Sequence, residues 1–373
     1  RRGMARVVFA PDSFKGSISA ADAARALAEG WLHERPGDTA VLRPMADGGE
    51  GTLDAFEAAM PGARRMPIRV TGPDGRPRDA SWLLLPGEIG VVELASTSGI
   101  EMLGADLQPW DADTMGFGQA IVAALDHGVS RLLLGIGSSA STDAGTGLLC
   151  ALGARVVDAE NRPVLPGARG LADIARVVLT ALRPLPPGGV MVLSDVTNPL
   201  SGPNGAAAVF GPQKGFGRDE IDVVDHALRR FADRMPEVDP TTPGAGAAGG
   251  AGFGLMAWGA ILAAGAPAVA EAIRLNDAVA DASAVVTGEG SFDGQTAGGK
   301  APAFVAQVAA RNAVPAFLAA GRIEPDADTS IFAATASLTE VSGSVTASLA
   351  DPRRWLQDAG AALARESYDA IGP

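Results

Sequence analysis

Residues 5–43 read ARVVFAPDSFKGSISAADAARALAEGWLHERPGDTAVLR, and their order decides the fold class. Ala5–Ala10 is a short β-branched run stopped by Pro11, the pattern of a buried strand. Ser19, with Asp22 three residues on, makes a near capping box and starts a helix expected to reach Glu34. Thr39–Arg43 reads as a second strand, followed by a loop at Asp47–Glu50 and a helix toward Met60. Strand, helix, strand, helix is the opening of a doubly wound sheet.

Outward from that stretch the pattern changes. Segments 66–71, 78–85 and 90–95 are short strands separated by Gly-Pro-Asp-Gly and Pro-Gly, which predicts an antiparallel meander. A helix is expected at 114–127, a strand at 131–136, a helix at 144–152 and a strand at 154–157. The rigid connector RPLPPGG (183–189) precedes a strand at Val190–Ser194, and 195–217 reads as one long loop. The apolar content of 244–265 favours a buried helix. Strands and helices alternate again at 284–288, 301–312, 315–320 and 331–335, with a last helix at 352–369. The expected architecture is α/β in two domains. A Rossmann- or flavodoxin-like doubly wound parallel sheet is built from 1–65 and 275–373, and a mixed α/β domain of 66–274 is inserted, with the active cleft between them.

Composition narrows the function. The chain of 373 residues carries a net charge of −13, which argues against nucleic acid and anionic membranes as partners. No run of about 18 apolar residues offers a membrane span, and the first residues lack the succession of a secretory leader. Cys150 is the only cysteine, so no internal disulfide forms and a reducing cytoplasm is expected. Its apolar neighbours predict a buried, inert thiol. Of 30 basic residues only Lys15, Lys214 and Lys300 are lysines, and all three fall in glycine-rich signatures: DSFKGS, GPQKGF and AGGKAP. Lysine offers a compact point charge where arginine offers a planar fork, so these positions read as functional.

Three glycine patterns could bind phosphate. Gly135-Ile-Gly137-Ser-Ser-Ala140 follows a strand, and Asp158 stands where a ribose-binding acid would be in a dinucleotide site. Its continuation, Ser141-Thr142-Asp143-Ala144-Gly145, is rich in hydroxyls and suits a phosphate equally well. Gly244-Ala-Gly246-Ala-Ala-Gly249 lacks a preceding strand and reads as close packing or a phosphate-approaching loop. Gly294–Lys300 matches a Walker A loop until Ala301 replaces the Mg²⁺-binding hydroxyl, and about six residues separate it from the predicted strand end. Carboxylates also gather in turns, as Asp12, Asp47, Asp195, Glu289 and Asp293, where a metal is held or a hydroxyl proton accepted. The three histidines lack metal-ligand spacing, and no Gly-x-Ser-x-Gly elbow is present.

Together these segments resemble the bacterial glycerate kinase family, type I. The matching pieces are 10–18 (APDSFKGSI), 44–53 (PMADGGEGTL), 135–148 (GIGSSASTDAGTGL), 195–215 (DVTNPLSGPNGAAAVFGPQKG), 243–250 (PGAGAAGG) and 286–302 (VTGEGSFDGQTAGGKAP). Ser291 stands where the family frequently has arginine. The resemblance implies an ATP- and Mg²⁺-dependent kinase acting on D-glycerate. It implies that Gly137, Ser138, Ser139, Thr142, Asp143 and Lys300 hold nucleotide phosphates, with Glu289 and Asp293 near Mg²⁺. Lys15, as a catalytic residue, and Lys214, as a substrate-binding one, are expected to face the glycerate carboxylate or the transferring phosphoryl group, with Ser13 and Asn198 also at the substrate. Asp195 is the first choice to accept the hydroxyl proton and Asp47 the second. The competing expectation is an NAD(P)-dependent oxidoreductase acting on a small hydroxy acid, resting on the Gly135 pattern and Asp158.

Overall fold

Right-handed crossovers and the order of the strands fix which helix covers which face of each sheet. The structure is a computed structural model that describes residues 4–294 and 300–372. In chain order the strands among the described residues are β1 (Arg6–Phe9), β2 (Thr39–Leu42), β3 (Arg64–Thr71), β4 (Pro77–Leu85), β5 (Ile89–Glu93), β6 (Arg131–Gly135), β7 (Arg155–Val157), β8 (Arg176–Val178), β9 (Val190–Leu193), β10 (Ile261–Ala263), β11 (Ala284–Phe292), β12 (Ala316–Ile323) and β13 (Ala334–Ser337). They divide between two compact units. Unit 1 comprises Arg1–Ala46, Asp54–Pro61 and Gly265–Pro373; unit 2 comprises Asp47–Leu53 and Gly62–Ala264. The junctions expected at 65/66 and 274/275 thus lie at 61/62 and 264/265, and the Asp47 loop goes with the inserted unit.

Unit 1 holds a five-stranded, all-parallel sheet in the order β2-β1-β11-β12-β13. This is the flavodoxin-like order, with its switch point between β1 and β11. From β1 the chain steps one way to β2; from β11 it steps the other way, so crossover helices fall on opposite faces. Val7, Phe9, Val286 and Phe317 form one buried face with Leu27 and Trp31 of helix Ala20–Glu34 and Leu356 and Leu363 of helix Pro352–Glu366. Trp31 meets the rings of Phe9 and Phe317 edge-on. Each such buried side chain stabilises the fold by about 1.5–3 kcal/mol. Ser19 caps the first helix as expected, its hydroxyl accepting from the Asp22 amide. By strand alternation Val8, Val285 and Leu318 face the other way, the side that helix Ala301–Arg311 takes.

Unit 2 holds a six-stranded sheet ordered β10-β9-β6-β5-β4-β3. β10, β9, β6 and β5 are parallel, and β4 and β3 complete the predicted antiparallel meander. β7 and β8 form a separate antiparallel pair. The core gathers Leu134 and Val192 from the sheet with Phe117, Phe231 and Phe253 from helices.

Three expectations need correction. The segment 195–217 is not all loop, because Ala206–Lys214 is helical. Its exposed positions include Val209 and Pro212 and its buried ones Lys214, so no polar face gives a period. In 244–265 the helix is confined to Ala251–Trp258, after a run of turns and before β10. Finally, β11 runs to Phe292 and not to 288, so only Asp293 separates the strand from Gly294. The spacing argument against a Walker-type loop falls; the missing hydroxyl at Ala301 stands. Residues 295–299 of that loop lie outside the described residues.

Candidate active site

In unit 2 the motifs meet at the carboxyl ends of the parallel strands. Glu93, Gly135 and Leu193 end β5, β6 and β9 and lie in one register row. The Asp47–Gly51 loop is laid across that row. The Gly137 amide donates to the Gly48 carbonyl at 3.0 Å. A Cβ on Gly48 would fall inside the Leu193 carbonyl, and one on Gly137 would stand 2.7 Å from the Gly49 Cα. Backbone against backbone leaves no room for side chains, which explains both glycine motifs without a dinucleotide.

Asp47 is half-buried, and its Oδ1 accepts from the Gly49 amide at 2.9 Å. Ser138, at the tip of the neighbouring loop, is exposed and held at φ +62°. That left-handed backbone is costly for a non-glycine residue and concentrates at functional turns. Asp195 leaves the end of β9 exposed. Asn198 spends its side-chain amide on the Asn204 carbonyl, while its own carbonyl accepts from Gly244 and Gly246. The 244–249 glycine pattern is thereby read as close packing against this turn.

The loop 139–143 differs from expectation. Its side chains point inward: Ser139, Ser141, Thr142 and Asp143 are all buried. Asp143 is fully enclosed. Its Oδ1 accepts from Gly145, and its Oδ2 from the Thr114 amide, the Thr114 hydroxyl and Gly147. Lys214, 3 % exposed, donates to the Ser139 hydroxyl at 2.8 Å and the Ser141 carbonyl at 2.6 Å. Burial pulls its ammonium down to about 7, against the attraction of Asp143. Asp143 and Lys214 thus support the loop from beneath, where the sequence suggests ligand contacts.

Sequence reasoning missed two carboxylates here. Glu93 is 5 % exposed and accepts from the Gly51 and Leu53 amides. Asp113 is pushed up to about 7 by burial and by the charge of Asp143. Neither lies in a glycine-rich turn, so neither carried a signal.

In unit 1 the switch point between β1 and β11 collects the other motifs. The Asp12 amide donates to the Gly288 carbonyl at 2.8 Å, and Asp12 Oδ1 accepts from the Ser13 amide. Phe14 bridges to Ile18, which turns Lys15 outward, exposed, beside Gly290. Lys300 precedes helix Ala301–Arg311, with Pro302 in its first turn, and pairs with Asp293 at 2.9 Å. That hydrogen bond raises the Lys300 ammonium above its ordinary value. Burial pushes Glu289 up to about 7; Asp12 and Asp293 add to the rise, and Lys300 and Lys15 oppose it. A lysine before a helix N-terminus is suited to an anion, and the carboxylates beside it are hard oxygen donors suited to a cation.

The competing oxidoreductase expectation fails at Asp158. Its carboxylate accepts from the Glu160 and Arg162 amides and the Arg162 guanidinium, closing the turn that follows β7. The helix after the Gly135 loop begins only at Thr146.

In each unit the parallel strands carry carboxylates and loop glycines at their carboxyl ends, the site arrangement of an α/β enzyme. The model of the glycerate kinase family matches residues 7–367. A glycerate kinase of Bacillus subtilis (strain 168) is 41% identical over 331 residues, covering 87% of this chain and 86% of that one. A glycerate 2-kinase of Escherichia coli (strain K12) is 40% identical, covering 86% of each. A crystal structure of a candidate glycerate kinase 2 from Salmonella typhimurium LT2 superposes with a TM-score of 0.81 at 36% identity, covering 97% of this chain and 98% of that one. The chain belongs to the glycerate kinase family.

Proposed function

We propose that the chain transfers the γ-phosphoryl group of ATP to a hydroxyl of D-glycerate. The observation that carries this is the gathering of Lys15, Glu289, Asp293 and Lys300 at the switch point of a flavodoxin-ordered sheet, in a chain of this family. Phosphoryl transfer asks a protein mainly for position and charge. Lys300 and the helix it precedes bind nucleotide phosphate. Lys15, on the turn after β1, neutralises the moving phosphoryl group, with Ser13 beside it. In unit 2, Asp195 accepts the proton of the attacking hydroxyl, Asp47 orients it, and Asn198 shapes the turn that carries Asp195. The exposed Ser138 offers a hydroxyl to an anion, on a loop that Gly137 lets approach the Asp47 turn.

Mg²⁺ suits the chemistry of Glu289 and Asp293, which are hard oxygen donors. Among the described residues no three such groups converge, and Asp293 is already paired with Lys300. The protein would supply one or two carboxylates and leave the remaining positions to water and phosphate, as is usual for this ion. Bound there, Mg²⁺ would neutralise charge on the nucleotide phosphates. Among the described residues no helix is long and apolar enough to cross a membrane, and an ATP-using enzyme fits the cytoplasm. The Escherichia coli relative is named a 2-kinase, and we extend that regiochemistry here.

The test is ADP release with ATP, Mg²⁺ and D-glycerate, beside Lys300→Met. Glycerate-dependent turnover that collapses in the variant is expected, with a product that enolase consumes directly. Folded protein without turnover would overturn the kinase reading, and a product enolase ignores would overturn the 2-position.

A further inference from the structure

The Asp47 loop enters helix Thr52–Ala59 through Gly51, held at φ +85°. The first amides of any helix lack partners within it, and a side chain at the loop's end usually accepts from them. Here that place is a glycine in the left-handed region, so the loop has no local side chain to offer. Glu93 supplies the acceptor from the end of β5. Its Oε1 takes the Gly51 amide at 3.2 Å and its Oε2 the Leu53 amide at 3.0 Å, across 42 and 40 residues of chain. A buried carboxylate is expensive to keep unless both oxygens are engaged. Its charge is also well placed, at the positive end of the helix dipole.

Other bonds of the loop tie it to itself and to the turn that follows β6. Asp47 Oδ1 accepts from Gly49, the Thr52 hydroxyl donates to the Gly49 carbonyl at 2.7 Å, and Gly137 donates to the Gly48 carbonyl. Glu93 alone of these partners fixes the loop's exit to the sheet. We propose that Glu93 is the positioning residue of the Asp47 loop, holding it over the ends of β5 and β6 so that Asp47 is presented in one geometry for phosphoryl transfer. Glu93 does this through two backbone amides and does not touch substrate. The inference rests on the role proposed above for Asp47.

Glu93→Gln keeps the volume and one acceptor oxygen but sets an NH₂ group against one amide. The experiment measures kcat, KM and melting temperature for Glu93→Gln, Asp47→Asn and the double variant. Misplacing a reacting group by an ångström can cost about a hundredfold, so Glu93→Gln is expected to lower kcat by about ten- to a hundredfold while remaining folded. Because it acts through Asp47, the double variant is expected to match Asp47→Asn within about twofold. Unchanged kcat in Glu93→Gln overturns the inference, as do losses that multiply. Glu93→Gln unfolded at the assay temperature also overturns it, marking the carboxylate as a support of the whole unit. Full kcat in Asp47→Asn removes the Asp47 role itself and the inference with it.

Discussion

Replacing Asp143 by Asn tests whether the hydroxyl-rich loop is held by one carboxylate. The side chain accepts four hydrogen bonds, one at Oδ1 and three at Oδ2. Asn does best by keeping oxygen at the Oδ2 position and turning its NH₂ toward the Gly145 amide. One buried N–H then faces a donor, which costs about 1–3 kcal/mol. The other three bonds lose their charge assistance, worth roughly half their strength, which adds about 2 kcal/mol. Relief of the repulsion with Asp113 offsets part of this, so a net loss of about 3 kcal/mol is expected. Urea unfolding at pH 8, followed by tryptophan fluorescence, measures it. A loss below about 1 kcal/mol would refute the assignment, because an ordinary surface substitution costs no more.

Asp113, raised to about 7 from an unfolded value of 3.8, holds a proton in the folded state that the unfolded chain releases. Its contribution is full below pH 3.8 and is lost as pH rises to about 7, so Asp113→Asn is expected to raise the urea midpoint at pH 8 and not at pH 4. An equal gain at both pH values would sink this. Lys214, lowered to about 7 from 10.5, has the opposite slope: stability falls as pH falls from 10.5 to about 7. Lys214→Met should lack that limb between pH 7 and 10, and parallel profiles for the two proteins would contradict it. Gly48→Ala drives a methyl into the Leu193 carbonyl at φ +93°, and strain plus overpacking predict a loss of about 3 kcal/mol, read by thermal melting. An unchanged melting temperature would mean that the seam between the loops is slack. Asp195→Asn is expected to lower kcat by about 10²–10⁴ with folding intact, and an unchanged rate would pass the base role to Asp47.

The parts of the fold legible in the sequence were those with a local cause. Ser19 and Asp22 announce a helix start, and the paired turns at 72–75 and 86–87 announce the meander, because turn chemistry acts over a few residues. The helix Ala206–Lys214 was hidden, since its exposed side carries Val209 and Pro212 while its lysine is buried, and no polar period betrays it. The carboxyl end of β11 was hidden because Gly288, Glu289 and Gly290 look like loop until the neighbouring strands pair with them. In the site, the lysines and glycine turns were visible as types. Whether a polar side chain points outward was not: Asp143 and Lys214 carry the composition of ligand contacts and the geometry of internal support. Asp158 shows the converse, a residue at a suggestive spacing whose partners are two residues of its own turn.

The central strand of unit 1 has consequences for how the protein is made. β1 pairs with β2 about thirty residues on, but its other edge waits for β11; the Thr287 hydroxyl that closes on the Ala10 carbonyl lies 277 residues away. The face beneath it also waits for helix Pro352–Glu366. A nascent chain therefore carries a half-paired, apolar strand near its start while the contiguous stretch 62–264 is translated, and that stretch holds every strand its own sheet needs. The inserted unit can mature vectorially, while the unit that brackets it is a clasp whose two halves are written far apart in the message. In that interval the open edge of β1 is the segment most exposed to mispairing and to chaperone capture.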